Sequence, residues 1–386
     1  MDRRTFLYSV SMGTFIGLAG RALHAQDHGL DVLRIKVEQP AIPLTPLGMP
    51  GLFPGRVIET HNAGVIERGR VSQPVVRRML ASGMTALTGD ASPEDAWRRF
   101  IEPTDVVGIK VNPSGSPFIV SRAEIVREVI ASLRAIGVPA ANIIVFDRNS
   151  NQLDLNGYHA LMPAGVRVVG LDDQWTVDGE RHGGYDRDVF CEMNCFGERE
   201  TRSYLGRIIS TEVDKIINIP VVKEHNASGV TGCLKNLAYG SYNNVARTHV
   251  APTTYTSPAI AVMCASLPVR TKAVLHVMDG IRGGYHAGPF SWNSSFHFEP
   301  RSILIGTDPV AVDRVELEMV ERKRRDVGVP SLWDHDPGNL GNVAQMQADA
   351  RRNRFFRQPA HIRVSGELGL GRWDLAQIDH RRVEVA

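Results

Sequence analysis

The chain has 386 residues, of which 22% are charged and 43% hydrophobic. These are the proportions of a soluble globular protein, and they exclude a disordered chain, a fibrous repeat and a polytopic membrane protein. Lysine plus arginine (44) exceeds aspartate plus glutamate (42) by two, and removing residues 1–25, with Arg3, Arg4, Arg21 and Asp2, cancels that excess. Net charge therefore gives no reason to expect nucleic acid as a partner.

The N-terminal stretch MDRRTFLYSVSMGTFIGLAGRALHA places a basic pair before a weakly apolar run, with small residues after it. That is the layout of a secretory signal. The run contains Ser9, Ser11, Gly13, Thr14, Gly17 and Gly20 and is too short for a stable membrane span. Arg-Arg-x-Phe-Leu resembles the twin-arginine export signal. The expectation is a signal peptide over residues 1–25, cut near Ala25. It implies the twin-arginine machinery as a partner and a periplasmic or extracellular destination. Because that route carries folded proteins, it also favours a cofactor inserted before export.

Residues 26–104 read as an extended Pro- and Gly-rich arm with packing helices. A short strand is expected at Arg56–Glu59, and helices at Pro74–Thr85 and Pro93–Ile101, the latter capped by Ser92. The pattern sharpens over 105–325. Val106–Val111 is an apolar strand. Ser121–Gly137 is an amphipathic helix, with Ser121 and Glu124 spaced as a capping box. Asn142–Asp147 is the next strand, which makes a parallel βαβ unit. Further strands are expected at Val166–Leu171, Asp214–Val222, Ala273–Met278 and Ser302–Gly306, and helices at Pro258–Leu267 and Pro309–Arg325, the last capped by Asp308. Arg181–Ser203 reads as a polar excursion, and residues 326–386 as an irregular extension whose last segments can form edge strands. The fold class is α/β, a mainly parallel sheet with helices on both faces.

The four cysteines are Cys191, Cys195, Cys233 and Cys264. Cys191 and Cys195, in CEMNC, fit a disulfide or free thiols. No second pair completes a structural zinc site, and no iron–sulfur cysteine run is present.

In an open α/β sheet, ligands sit at the carboxyl ends of the strands. Here those ends carry Lys110-Val111-Asn112, Asp147-Arg148-Asn149, Lys223-Glu224-His225, Asp279 and Thr307-Asp308. The segment KEHNASGVTGCLKN, residues 223–236, is a Gly-rich strand-to-helix turn. Gly229, Thr231 and Gly232 would expose backbone N–H groups to an anion, helped by Asn112, Lys235 and Asn236. It is not a P-loop, since the Lys-Ser/Thr pair and its spacing are absent. The same turn is also read as mere packing of a helix on the sheet. Lys110, Lys223, His225 and Asp279 are the candidate catalytic set, with His225 as general base or metal ligand and Asp279 orienting it. His225, His249, Asp279 and Asp308 could supply a divalent transition metal with a His₂–carboxylate site, although no HxH or HExxH spacing binds them together. Asp308 and Asp313 also read as cap and first-turn residues of their helix. Tyr285, His286, Trp292 and His297, in the glycine- and aromatic-rich stretch 280–297, are candidate pocket walls or simply an ordinary surface loop.

The segments VGIKVN (107–112), IPVVKEHNASGVTGCLKN (219–236), Asp279-Gly280 and GTDPVAVD (306–313) resemble domain-of-unknown-function family 362. By motif, the resemblance carries over Lys110, Asn112, Lys223, His225, Thr231, Gly232, Lys235, Asn236, Asp279, Asp308 and Asp313. Family members are often linked to ferredoxin-like iron–sulfur segments, a cysteine cluster this chain lacks. The leading expectation is an exported enzyme acting on a small anionic or polar substrate. The alternatives are a non-catalytic periplasmic binding or assembly protein, and a redox protein with a bound cofactor.

Overall fold

The computed structural model describes residues 35–386 apart from 178 and 179, together with the backbone pair Tyr8–Ser9. The export signal expected at residues 1–25 otherwise lies outside the described residues. In chain order, β1 (Ile35–Glu38) and β2 (Arg56–His61) precede α1 (Gln73–Thr88) and α2 (Pro93–Arg98). Then come β3 (Val107–Lys110), α3 (Ala123–Ala135), β4 (Ile143–Asp147) and β5 (Arg167–Gly170). After them run β6 (Tyr185–Met193), β7 (Arg202–Gly206), β8 (Lys215–Asn218), β9 (Val221–His225) and β10 (Gly229–Val230). The remainder supplies α4 (Gly232–Tyr239), α5 (Thr256–Ala265), β11 (Ala273–Gly284), β12 (Ser302–Gly306), α6 (Pro309–Asp326), α7 (His361–Glu367) and β13 (Asp379–Glu384).

The main sheet runs β13–β2–β12–β11–β8–β3–β4–β5. From β11 to β5 all neighbours are parallel. β12 is antiparallel to both β11 and β2, and β13 is parallel to β2. The chain is thus α/β, with a mostly parallel sheet. Apolar side chains of α1, α2 and α3 pack on one face, and those of α4, α5 and α6 on the other. This is the three-layer solution for strands that must bury both sides.

Two local expectations change. The apolar run 214–222 is two strands, because Pro220 has no N–H to give a ladder. β8 stops at Asn218, and β9 restarts beside the distal half of β11, Val221 opposite Asp279. Ser121 does not cap α3. Its hydroxyl donates to the Ile219 carbonyl (2.6 Å) and accepts from the Asn112 N–H (2.7 Å), so it ties two strand ends together. The cap position falls to Arg122, whose N–H donates to Asp279 (2.9 Å). The strand expected at Arg56–Glu59 forms as β2, and the last segment of the C-terminal extension forms the edge strand β13, so both flanks add to the main sheet. Ser92 and Asp308 cap α2 and α6 through the N–H groups of Asp95 (3.1 Å) and Ala311 (2.9 Å). Residues 185–206 fold back as β6 and β7, and β6 pairs with β7 on one side and β1 on the other in a smaller sheet.

Candidate anion-binding cleft

Strand register builds the centre of the site. Lys110 on β3 lies opposite Asn218 on β8, which lies opposite His276 on β11. Residues paired across neighbouring strands point to the same face, so these three form a polar row on the side covered by α4. Asn236 of α4 reaches down onto the row. Its side-chain oxygen accepts from Lys110 Nζ (3.0 Å) and Asn112 Nδ2 (3.0 Å), while its Nδ2 donates to Asn218 (2.8 Å). The Lys110 ammonium also pairs with Asp147 at the end of β4 and donates to the Val111 carbonyl (2.6 Å). Lys110 is fully buried, and a charge in that position requires such a partner.

Lys223 is 1% exposed. Its ammonium donates to Asn112 Oδ1 (2.7 Å), to the Ser114 carbonyl and to the Ile119 carbonyl (3.4 Å). All three acceptors are neutral, and burial pushes its pKa down to about 7 against the pull of Asp147 and Glu316. It therefore pins the turn 113–119 to the sheet.

Lys235 stands apart from these two. Its ammonium lies over the Tyr239 ring, 4.7 Å from the centroid, and has no carboxylate partner among the described residues. Arg148, just past β4, likewise makes no ion pair among them. Lys235 is closely surrounded by protein atoms yet still reached by solvent, as expected of a residue lining a cleft. Desolvation, followed by the charges of Arg148, Lys223 and Lys110, holds it well below the ordinary lysine range, and only Asp147 opposes them.

Histidine and aromatic rings wall the same cleft. His225 and His249 are 5.4 Å apart between centroids, His249 and Tyr239 5.5 Å, and His249 and Phe355 6.3 Å. His225 Nδ1 accepts from the backbone N–H groups of Ala227 (3.1 Å) and Ser228 (3.3 Å). A neutral imidazole held in that way carries its proton on Nε2 and donates there. Burial and then Lys235 lower the pKa of His225, and the same two causes bring His249 down to about 3. Both rings are therefore neutral, and the arrangement suits His225 as a hydrogen-bond donor rather than a general base.

The Gly-rich turn 229–232 does not present free backbone donors. Gly229 and Val230 are strand-paired to β9, and the Thr231 N–H donates to the Lys223 carbonyl (3.0 Å). At the start of α4 the N–H groups of Cys233 (2.5 Å) and Leu234 (3.0 Å) donate to Asp313, a carboxylate delivered by α6. The seat expected for a ligand anion is filled by the chain's own carboxylate. Gly232, at φ +59°, leaves room only for that contact, since a Cβ there would collide with the Asp313 carboxyl. Beside it, Glu316 accepts from the Lys223 N–H (2.9 Å). Burial pushes Asp313 up to about 7 and raises Glu316 as well.

Asp279 and Asp308 lie elsewhere. Asp279 shares the sheet face of Val277 and Ile281, opposite to Lys110, and its oxygens accept from the N–H groups of Arg122 (2.9 Å) and Ile281 (3.0 Å). Asp308 accepts from Gly55 (2.9 Å), Ala311 (2.9 Å) and Arg372 (2.8 Å). Burial lifts each carboxyl to about 6. Of the four candidate metal ligands only His225 and His249 are neighbours. Among the described residues no group of three His, Cys, Asp or Glu side chains could hold a metal ion. The described residues therefore do not fit the expected metal site.

The four cysteines are free and buried. The stretch 280–297 forms no lid over the cleft. β11 runs on to Gly284, the buried His286 bonds the Met346 carbonyl (2.9 Å) and Tyr285 bonds the Ser295 carbonyl (2.9 Å). His297 contacts the Ser291 carbonyl (3.0 Å), and Trp292 is 63% exposed. A separate open groove of about 440 Å³ lies between α6 and β13, lined by Val315, Met319, Leu375 and Ile378 among others, and shares no residue with the cleft.

With Lys110, Asn112, Lys223, His225, Lys235 and Asn236 brought together by β3, β9 and α4, the segment match becomes informative. The profile of the family described as a domain of unknown function, DUF362, matches residues 107–318. The chain belongs to the DUF362 family. That match spans β3 to the middle of α6, so every strand and helix that builds the cleft lies inside it, while β2 and β13, which extend the sheet, lie outside. A search of curated proteins finds no match. Asp147, Arg148, Asn218 and Tyr239 were not in the expected site set. For Asp147 and Arg148 the signal was present, since both stand at a strand end. Asn218 was hidden inside what read as one continuous strand.

Proposed function

We propose that this DUF362 chain is an exported α/β enzyme that acts on a small anionic substrate held in the cleft above β3, β4 and α4. The observation that carries the reading is Lys235, whose amine lies over the Tyr239 ring beside the His225–His249 pair with no acidic partner among the described residues. Unpaired charge at such a place is unfavourable without a ligand. Lys110 and Lys223 add positive potential from below. His225 Nε2–H adds a neutral donor, so developing negative charge on the substrate would be stabilised electrostatically. Export rests on the order of residues 1–25, a basic pair, an apolar run and then small residues. No helix among the described residues is long and apolar enough to cross a membrane.

A second reading, a non-catalytic binding protein, is favoured by one feature. Among the described residues Asp147 is taken up by Lys110 and Asp313 by backbone N–H groups, so neither carboxylate stands free as a base. Native mass spectrometry of protein exported through its own signal tests both. A stoichiometric small anion is expected on the wild type and not on Lys235→Met. Equal loading of the two proteins would refute the site. Conversion of the bound molecule on incubation selects the enzyme, and its unchanged recovery selects the binder.

A further inference from the structure

Leu155 and Trp292 are the two most exposed large apolar side chains among the described residues, and hydrogen bonds tie both into one surface around the turn 113–119. Ser114 Oγ donates to Gln152 (2.9 Å) and Asn156 Nδ2 to the Pro113 carbonyl (3.3 Å). These bonds set Leu155, at the end of the short helix Ser150–Leu155, against one side of the turn. On the other side the Phe118 ring meets His297, 5.5 Å between centroids, and His297 contacts the Ser291 carbonyl (3.0 Å), between Phe290 and Trp292. Gln347, in the helix Val343–Ala348, accepts from the Trp292 N–H (3.1 Å) and donates to the Phe290 carbonyl (2.7 Å). Val343 lies one turn before Gln347 on the same helix face. Phe118, Leu155, Phe290, Trp292 and Val343 are between 41% and 74% exposed.

The surface is almost uncharged. Segments 111–121, 283–298 and 340–348 contain no Asp, Glu, Lys or Arg, in a chain that is 22% charged. Its rim mixes signs, with Asp154 and Asp349 against Arg351 and Arg354, so charge gives no preference for an anionic partner. Its polar side chains are also turned inward. Besides Gln347, Asn293 accepts from the Ser295 N–H (3.0 Å) and donates to the Gln347 carbonyl (3.3 Å), while Asn342 and Gln345 cap their own helix. Loops satisfied in this way can leave water without stranding a polar group, whereas a glycan or a peptide would find few free donors or acceptors. Taking about 150–250 Å² for a whole aromatic side chain, the five exposed parts sum to roughly 500 Å², the size of a functional patch. That is short of the about 800 Å² each partner buries in a stable protein complex. Exposed Trp, Phe and Leu on such a neutral surface suit the headgroup–acyl boundary of a bilayer. We infer that this surface is a peripheral membrane contact, at which Trp292 and its neighbours insert into a lipid bilayer irrespective of lipid charge. The contact needs no ligand in the cleft.

Co-sedimentation of the exported chain with vesicles tests this, one set of phosphatidylcholine and one of phosphatidylcholine mixed equally with phosphatidylglycerol. The chain should bind both sets within about twofold of each other, at low and at high salt. Trp292→Ser should weaken binding at least about tenfold. Trp373→Ser removes another exposed ring, packed on Gly366 of α7, and should leave binding within about twofold. Both rings are exposed, so both variants are expected to keep the wild-type circular dichroism spectrum. Failure to bind either set of vesicles would overturn the inference. So would equal losses in the two variants, or binding confined to the phosphatidylglycerol vesicles and abolished by salt. Self-association that Trp292→Ser abolishes, without vesicle binding, would also overturn it and assign the surface to a second copy of the chain.

Discussion

Gly240 gives the sharpest test of the buried network, because local and tertiary reasoning predict opposite signs for Gly240→Ala. The residue ends α4 with φ −85° and ψ −5°, a conformation alanine adopts without strain. On local grounds alone, alanine should stabilise the chain by up to about 1 kcal/mol. The tertiary structure reverses this. A Cβ at Gly240 would fall within 3.0 Å of Lys110 Cε and Nζ and 2.5 Å from the Asn236 carbonyl oxygen. The carbonyl is helix backbone and cannot yield. The Lys110 chain is enclosed on all sides and held by Asp147, Val111 and Asn236. Overpacking of this kind costs about 1–3 kcal/mol. Separating a buried ion pair costs about 3–5 kcal/mol when the pair is fully broken. Partial relaxation and the propensity gain leave an expected net loss of about 2–5 kcal/mol. Urea unfolding followed by circular dichroism, with the slope checked for constancy, measures it. Unchanged or increased stability would refute the packing of Lys110 beneath α4, and with it the construction of the site.

Opposite pH slopes are expected from two groups. Asp279 is held at about 6 against an ordinary 3.8, so the folded chain binds the proton more tightly and stability falls as pH rises between those values. Asp279→Asn should flatten that fall in urea titrations. Lys223, held at about 7 against 10.5, acts the other way, and stability should rise with pH between those values as the folded chain sheds its proton first. A Lys223→Met variant should lose this alkaline rise. Arg357→Met breaks the buried pair with Glu224 (2.7 Å) and should cost about 3–5 kcal/mol, read from the urea midpoint. All four thiols should resist a disulfide reagent in the native chain and react once it is unfolded, since they are buried and burial pushes Cys191 and Cys195 up to about 12. Fast labelling of the native protein would contradict the packing around β6.

The alternation of apolar strands and amphipathic helices over 105–325 was enough to specify an α/β sheet, because hydrophobic period and caps are written locally. Position at strand ends was likewise enough to single out Lys110, Lys223 and His225, and the Gly-rich turn that follows drew in Lys235. The sequence alone could not say which face of the sheet each residue would take. Asp279 and Lys110 both stand near strand ends, yet pleating and register send them to opposite sides. Nor could it say which carboxylate would occupy a helix start. Asp313 reaches α4 from about eighty positions away in the chain, and its arrival removes the backbone seat that the glycines of 229–232 advertise. Charge compensation is a sum over neighbours in space. Only the assembled fold could therefore separate Lys110, neutralised by Asp147, from Lys235, which has no carboxylate partner among the described residues.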